Sequence, residues 1–306
     1  MEDKRFVFVK TSDTESEKIA APEYSYWKSV FRKFFSSKVA IFMLILMTAV
    51  LLMSFIHPMI SKYDHQVNPN INKRATHFLP MSAEHLFGTD DVGRDLFSMV
   101  WSGARVSLFI AITATIIVNV VGVIVGMFWG YSKKMDKVMI QIYNVISNIP
   151  FILIVMVMAF VLGSGVWQLI LALSITSWIG IAYFIRVQTM IIRDREYNLA
   201  SRTLGSSTTK IIKHNILPYL VSVLVTALSR DIPLFISYEV FLGFIGVGLG
   251  QETASLGRII QENSLYMQSH PTMFLIPVAI TALISVSLYI VGQTLADASD
   301  PKNHMI

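Results

Sequence analysis

The stretch REYNLASRTLGSSTTKIIKHNILP, residues Arg195–Pro218, is a polar segment within a chain that is otherwise mostly apolar. After Arg195 it carries the acidic and basic side chains of Glu196, Arg202, Lys210, Lys213 and His214. Of all 306 residues, 54% are hydrophobic and 15% are charged, whereas a soluble domain carries about 25% charged residues. The mean hydropathy is +0.58. This composition predicts an all-α membrane protein in which the polar stretch lies outside the lipid.

Six apolar segments are long enough to cross a membrane as helices, because a crossing takes about 20 residues. They cover residues 38–60, 104–130, 137–162, 166–186, 216–247 and 272–294. The sequence therefore predicts six transmembrane helices. The first stands alone, residues 61–103 form an extracellular linker, and residues 104–294 form a core of five helices.

The distribution of Lys and Arg predicts the orientation of these spans, because basic residues are enriched in cytoplasmic loops. If the N-terminus is inside, 18 of the 25 basic residues lie in inner segments and six lie in outer segments. The sequence thus predicts that both termini are cytoplasmic. An N-terminal segment of residues 1–37, a loop of residues 187–215 and a tail of residues 295–306 then face the cytoplasm.

The N-terminal segment ends in YSYWKSVFRKFF, residues 24–35. Its aromatic and aliphatic residues recur at helical spacing, with basic residues between them. This pattern is typical of an amphipathic helix that lies in the membrane interface. We therefore expect lipid contact just before the first span.

The polar stretch itself is predicted to be a helix, a turn and a second helix. Four residues at i, i+3, i+4 and i+7 share one helix face, and these are Tyr197, Ala200, Ser201 and Leu204. Gly205 is expected to end this helix, and Ser206 or Ser207 can cap the next one. A helix that merely connects two spans satisfies these observations equally well.

The same stretch resembles the signature loop of ABC importer permeases. The family pattern is Glu-Ala-Ala, three residues, Gly, nine residues and Ile-x-Leu-Pro. Here residues 199–201 read Leu-Ala-Ser, Gly205 keeps its spacing, and residues 215–218 read Asn-Ile-Leu-Pro. The matching residues are Ala200, Gly205, Leu217 and Pro218, and the departures are Leu199, Ser201 and Asn215.

The preceding Glu196-Tyr197 resembles the form of the loop in the dipeptide and oligopeptide C-type permeases. In that family the loop is a coupling helix that docks on an ATP-binding subunit. The resemblance implies a type I ABC importer permease architecture. It also implies that six residues contact the ATPase, namely Glu196, Tyr197, Ala200, Ser201, Leu204 and Gly205.

A second resemblance lies in HLFGTDDVGRDLFSMVWSGARVSL, residues His85–Leu108. It is similar to the external segment before the second span of C-type permeases. Asp90 and Arg94 are spaced to pair on a helix turn, and an apolar stripe from Leu96 ends at Gly103, which predicts a short helix on the outer membrane face. The resemblance implies a docking area for a binding protein near Asp90, Arg94 and Trp101, although a structural elbow is the favoured interpretation for any single one of these residues.

Three charged residues, Arg230, Asp231 and Glu239, fall within the fifth span. A charge at the bilayer centre costs about 2.5–3.5 kcal/mol on insertion scales, so these side chains are expected to face the bundle interior or a wet path. They either line a substrate pathway or form structural ion pairs. Near them, YEVFLGFIGVGLG, residues Tyr238–Gly250, also resembles the family.

Glycines at Gly122, Gly126 and Gly130 repeat every four residues in the second span. Small residues at this spacing allow two helices to approach closely. We therefore interpret the repeat as a packing surface.

The sequence contains no G-x-x-x-x-G-K-[ST] phosphate loop and no cysteine. We predict neither enzymatic activity nor a metal site on this chain; ATP and Mg²⁺ are expected on partner subunits. The resemblance implies a plasma-membrane, multi-pass permease for oligopeptides that couples through residues 196–218. The implied partners are a second permease, two ATP-binding subunits, an extracellular binding protein, peptide and lipid, without nucleic acid.

Two alternatives remain at this point. A related permease could carry another small solute, such as a dipeptide or nickel. A secondary transporter could instead use Arg230, Asp231 and Glu239 as an ion relay. That alternative predicts inverted repeats, and none is evident in the spans.

Overall fold

The computed structural model describes residues 25–61, 63–64, 72–250 and 252–299. Within these ranges the chain is helical, with one isolated β-bridge between Thr89 and Asp95. The α-helices are Tyr26–Ser36 (α1), Lys38–Ser61 (α2), Leu96–Tyr131 (α3), Lys133–Ser147 (α4), Phe151–Leu162 (α5), Val166–Arg193 (α6), Glu196–Thr203 (α7), Thr208–Ile211 (α8), Leu217–Phe244 (α9), Leu256–Ser264 (α10) and Pro271–Ser299 (α11). Parts of three predicted segments lie outside the described residues. These are residues 1–24 of the cytoplasmic segment, residues 62 and 65–71 of the linker, and residues 300–306 of the tail.

The described helices include five that are long and apolar enough to cross a membrane, and a sixth crossing if a bent pair counts as one span. The bent pair is α4 and α5, whose axes meet at 84°. The prediction of one helix over residues 137–162 is therefore wrong. Pro150 disfavours helical backbone at the residue before it, and α5 begins immediately after it.

Helix α3 is longer than predicted and runs without interruption from Leu96 to Tyr131. The separate outer helix that was expected to end at Gly103 does not exist, and the predicted boundary at 103/104 falls within α3. Gly103 serves a close helix contact instead: a Cβ at this position would lie 2.5 Å from Ile259 Cδ1 of α10 and 3.1 Å from the Ser255 carbonyl carbon.

The core is built around the pairing of α3 with α6, the most extensive helix contact in the described chain. The glycine repeat of α3 lies at this contact. A Cβ at Gly122 would meet Ile181 at 2.7 Å, and a Cβ at Gly126 or Gly130 would meet a backbone carbonyl oxygen of α6 at 2.5 Å. The three glycines therefore form the predicted packing surface.

Helix α1 has the amphipathic character that the sequence predicts. Its inner side buries Val30 and Phe34 against α2 and α11, and the Tyr26 hydroxyl donates to the Ser299 carbonyl over 2.8 Å. An aromatic stripe on its outer side stays about half exposed and consists of Trp27, Phe31 and Phe35. The helix is thus anchored to the bundle while an apolar surface remains available to lipid.

Candidate functional site

The polar stretch folds as a short helix, a tight turn and a second helix, as the sequence predicts. Helix α7 spans eight residues, and Gly205 follows its C-cap with φ of +81°, a conformation that glycine adopts without strain. The Ser207 hydroxyl accepts from the Lys210 backbone N–H at the start of α8. The next turn is a π-helix, Ile212–Ile216, which leads directly into α9.

One side of this loop is exposed to solvent and partly apolar. The exposed fractions are 47% for Tyr197, 44% for Leu199 and 86% for Leu204. Ala200 and Gly205 are exposed between them, and apart from the two adjacent residues no described residue has an atom within 4 Å of a Cβ built on Gly205. The loop therefore presents a narrow surface with apolar groups around a small centre, which suits contact with a groove on another protein.

The side of the loop that faces the bundle is held by hydrogen bonds of the Asn198 and Asn215 side chains, which the sequence did not predict. Asn198 is 1% exposed, and its Nδ2 donates to the Ile192 carbonyl at the end of α6 over 2.9 Å. Asn215 Nδ2 donates to Asn198 Oδ1 over 2.9 Å and to Ser201 Oγ over 3.3 Å. Two departures from the family pattern, Ser201 and Asn215, are thus bonded to each other.

The base of the loop is tied to the end of α3. Arg193 donates to the Gly130 carbonyl over 2.9 Å and pairs with Asp194 at 3.0 Å. Hydrogen bonding from Arg193 lowers the pKa of the Asp194 carboxyl. Arg202 donates to the Tyr131 hydroxyl over 3.1 Å and lies over its ring. These contacts connect the end of α6 to α3, and α7 to α3.

The charged residues of the fifth span occupy two separate places. Asp231 is 3% exposed, accepts from Asn119 Nδ2 over 3.0 Å and lies 3.5 Å from the Arg230 guanidinium. The Arg230 side chain is 62% exposed. Glu239 is eight residues further along α9, or about 12 Å at 1.5 Å per residue. The structure pairs the first two residues but does not bring Glu239 to them.

Glu239 is completely buried where α9 meets α3 and α10. No described residue satisfies hydrogen-bond geometry to its carboxyl oxygens, yet the hydroxyls of Ser107 and Ser255 lie close to it. Each hydroxyl already accepts a backbone N–H, Ser107 from Leu256 and Ser255 from Arg258. Their own O–H groups can therefore turn to donate to Glu239.

The outer segment, residues 85–108, does not present an open surface at the residues predicted for docking. Charged side chains form a network there instead. Arg94 lies 2.5 Å from Asp90 and 3.2 Å from Glu262 of α10, and Glu262 also pairs with Arg258 at 2.9 Å. Burial raises the pKa of Asp90, and Arg94 opposes this rise. The predicted Asp90–Arg94 pair is present, and the contact from Arg94 to Glu262 joins the segment to α10.

Among the three residues predicted for docking, Asp90 is 0% and Trp101 is 6% exposed, and the Arg94 side chain is 16% exposed. Such burial leaves them little surface for direct contact with a protein. Their side chains are largely packed inside the protein, and docking by this segment stays a prediction. Over the described ranges, no three His, Asp or Glu residues cluster as metal ligands do.

Comparison with known families identifies the class of this protein. Residues 119–304 match the family described as "Binding-protein-dependent transport system inner membrane component". Residues 25–80 match "N-terminal TM domain of oligopeptide transport permease C". The chain belongs to this family of membrane-embedded transport components. The predicted permease family and the multi-pass membrane location are confirmed.

Similar proteins include the oligopeptide transport system permease protein AmiD of Streptococcus pneumoniae, which is 51% identical over 98% of each chain. The oligopeptide transport system permease protein OppC of Bacillus subtilis is 32% identical over 94% of this chain and 93% of its own. The fold resembles a chain of the inward-facing MetNI methionine ABC transporter, with a TM-score of 0.56 and 19% identity over 66% of this chain and 96% of that chain. The first two relatives are named as permease proteins, which confirms the prediction of a permease rather than an enzyme.

Proposed function

We propose that this chain forms half of the translocation pathway of an ATP-driven oligopeptide importer. The names of two similar proteins, both called oligopeptide transport system permease proteins, support the peptide substrate. The observation that carries the mechanism is the loop around α7, whose narrow exposed side is available for an ATP-binding subunit while its base is tied to α3 and α6.

The partners follow from what the chain lacks and what it exposes. It has no phosphate loop, so ATP and Mg²⁺ bind two separate ATP-binding subunits that contact the α7 loops. A second, homologous permease completes the path, and an extracellular binding protein delivers the peptide. Both termini and the α7 loop face the cytoplasm, because basic residues concentrate on that side.

The outer segment and the intramembrane charges have supporting roles in this proposal. The outer segment, braced by the Arg94–Asp90 pair, receives the binding protein. Asp231 is held by Asn119, and the exposed Arg230 guanidinium faces the pathway or the second permease. An ion relay through Asp231 and Glu239 is disfavoured, since about 12 Å of helix separates the two residues.

Reconstituted transport tests the proposal. The chain would be purified with its partner permease and ATP-binding subunits and inserted into liposomes with binding protein and a labelled oligopeptide outside. We expect uptake that requires ATP and the ATP-binding subunits. Uptake that continues without those subunits and follows an imposed proton or sodium gradient would contradict the proposal and support a secondary transporter.

A further inference from the structure

The orientation of α7 depends on polar contacts, because the helix has little apolar anchorage of its own. An isolated helix of eight residues is marginal in water. Among its eight residues, all of them described, only Asn198 is buried. Its apolar residues Tyr197 and Leu199 lie on the exposed side, where they do not fix the helix to the bundle.

A continuous chain of side-chain amides supplies this anchorage. Asn198 donates to the last turn of α6 through the Ile192 carbonyl. Asn215 then donates to Asn198 Oδ1 and to Ser201 Oγ, and Ser201 donates in turn to the Tyr197 carbonyl over 2.8 Å. The end of α6, the short helix α7 and the turn before α9 are thus joined by one polar connection, which we call the amide bridge, Asn198–Asn215–Ser201.

The backbone around Asn215 forms a π-helical turn, which is rare in proteins. Asn215 lies in the π-helix Ile212–Ile216, between α8 and α9. Single π turns within helices occur frequently at functional sites. Ile212 and Ile216 of this turn are buried at 3% and 0% exposure, so the turn is packed against the bundle while Asn215 reaches towards α7.

We infer that Asn215 is a positioning residue that transmits movement of α7 to the fifth span, an inference that rests on the proposed function. An ATP-binding subunit contacts the exposed side of α7, and the amide bridge lies on the opposite side. A displacement of α7 therefore moves Asn198 and Asn215 together, and through them the ends of α6 and α9. Without the bridge, α7 tilts relative to the two spans, and the displacement is lost.

The test replaces Asn215 in the assembled transporter and measures peptide imported per ATP hydrolysed. Asn215→Leu removes both hydrogen bonds while keeping the number of side-chain heavy atoms and the branching at Cγ, and Asn215→Asp removes the donor. We expect both variants to retain the ATP-binding subunits but to lower the import-to-hydrolysis ratio by at least about fivefold, the lower end of coupling effects between sites. Asn215→His, which keeps an N–H donor, is expected to restore much of the ratio.

The outcomes separate this inference from the proposed function. A purely structural role would lower assembly and hydrolysis together and leave the ratio unchanged, and an unchanged ratio in both variants overturns the inference. If Asn215→Leu fails to assemble, Asn215→Asp and Ser201→Ala decide the matter.

Leu204→Asp on the exposed side serves as the comparator: if it releases the ATP-binding subunits while Asn215 variants couple normally, only the amide bridge is refuted. If Leu204→Asp also changes nothing, the proposed function itself fails.

Discussion

Substitution of Gly126 by alanine is expected to destabilise the bundle at its principal helix contact. An alanine Cβ would lie 2.5 Å from the Ala182 carbonyl oxygen, 2.8 Å from Ile185 Cβ and 3.0 Å from Ala182 Cα. The carbonyl belongs to the backbone of α6, so a side-chain rotation cannot relieve the contact. Helices α3 and α6 must separate by at least about 0.5 Å to bring the shortest contact to 3.0 Å, and this loosens packing along both helices.

The expected magnitude follows from measured costs of overpacking. Extra methylene groups in a packed core cost about 1–3 kcal/mol. This range corresponds to an increase in the unfolding equilibrium constant of roughly 5- to 150-fold, at 1.36 kcal/mol for each factor of ten. The free energy of unfolding would be measured for the purified chain by reversible denaturation in mixed detergent micelles, with helical circular dichroism and tryptophan fluorescence as probes.

Gly180→Ala is the matched control, because it makes the same glycine-to-alanine change in the partner helix α6, at a place where nothing in the described chain except the helix's own nearby residues lies within 4 Å of the new Cβ. Alanine is favoured over glycine in a helix by up to about 1 kcal/mol, so this variant should be as stable as the unchanged chain or more so. Equal stability of the Gly126 and Gly180 variants would refute the packing interpretation of the glycine repeat.

Three further predictions concern the charged clusters and the loop. Arg94→Leu leaves Asp90 buried without its partner and is expected to cost about 3–5 kcal/mol; a loss in thermal denaturation below about 1 kcal/mol, the size expected for an exposed ion pair, would contradict the assignment. Asp231→Asn should retain ATP-driven uptake in liposomes, because a structural acceptor for Asn119 needs no titration; abolished uptake with normal assembly would favour an ion relay. Gly205→Trp should insert into the membrane and assemble its bundle but fail to couple hydrolysis to uptake, and normal uptake would argue against a docked loop.

The sequence predicts the spans well because membrane insertion imposes long apolar segments, and these are visible residue by residue. It fails where a local residue has a tertiary role. Gly103 looks like a helix terminator, yet its missing side chain serves the approach of α10. The apolar run over residues 137–162 conceals the bend, although Pro150 within it is a recognisable break.

In the candidate site, too, the sequence predicts the local features but not the contacts between distant residues. The helix, the turn at Gly205 and the cap at Ser207 follow from local chemistry, as does the Asp90–Arg94 pair, since its members are four residues apart. The bond from Asn215 to Asn198 spans 17 residues, and that from Arg94 to Glu262 spans 168. Neither spacing carries a helical periodicity, so only the packed structure brings these side chains together.

The central claim is that the exposed side of the α7 loop binds an ATP-binding subunit, and association in detergent tests it most directly. Leu204, the C-cap of α7, is 86% exposed, and Leu265, the C-cap of α10, is 84% exposed. Leucine-to-aspartate substitution at each position makes the same chemical change at equally open sites on different loops. Co-purification of the ATP-binding subunits, without binding protein, should be lost for Leu204→Asp and retained for Leu265→Asp. Retention with Leu204→Asp, or equal loss with both, would contradict the account.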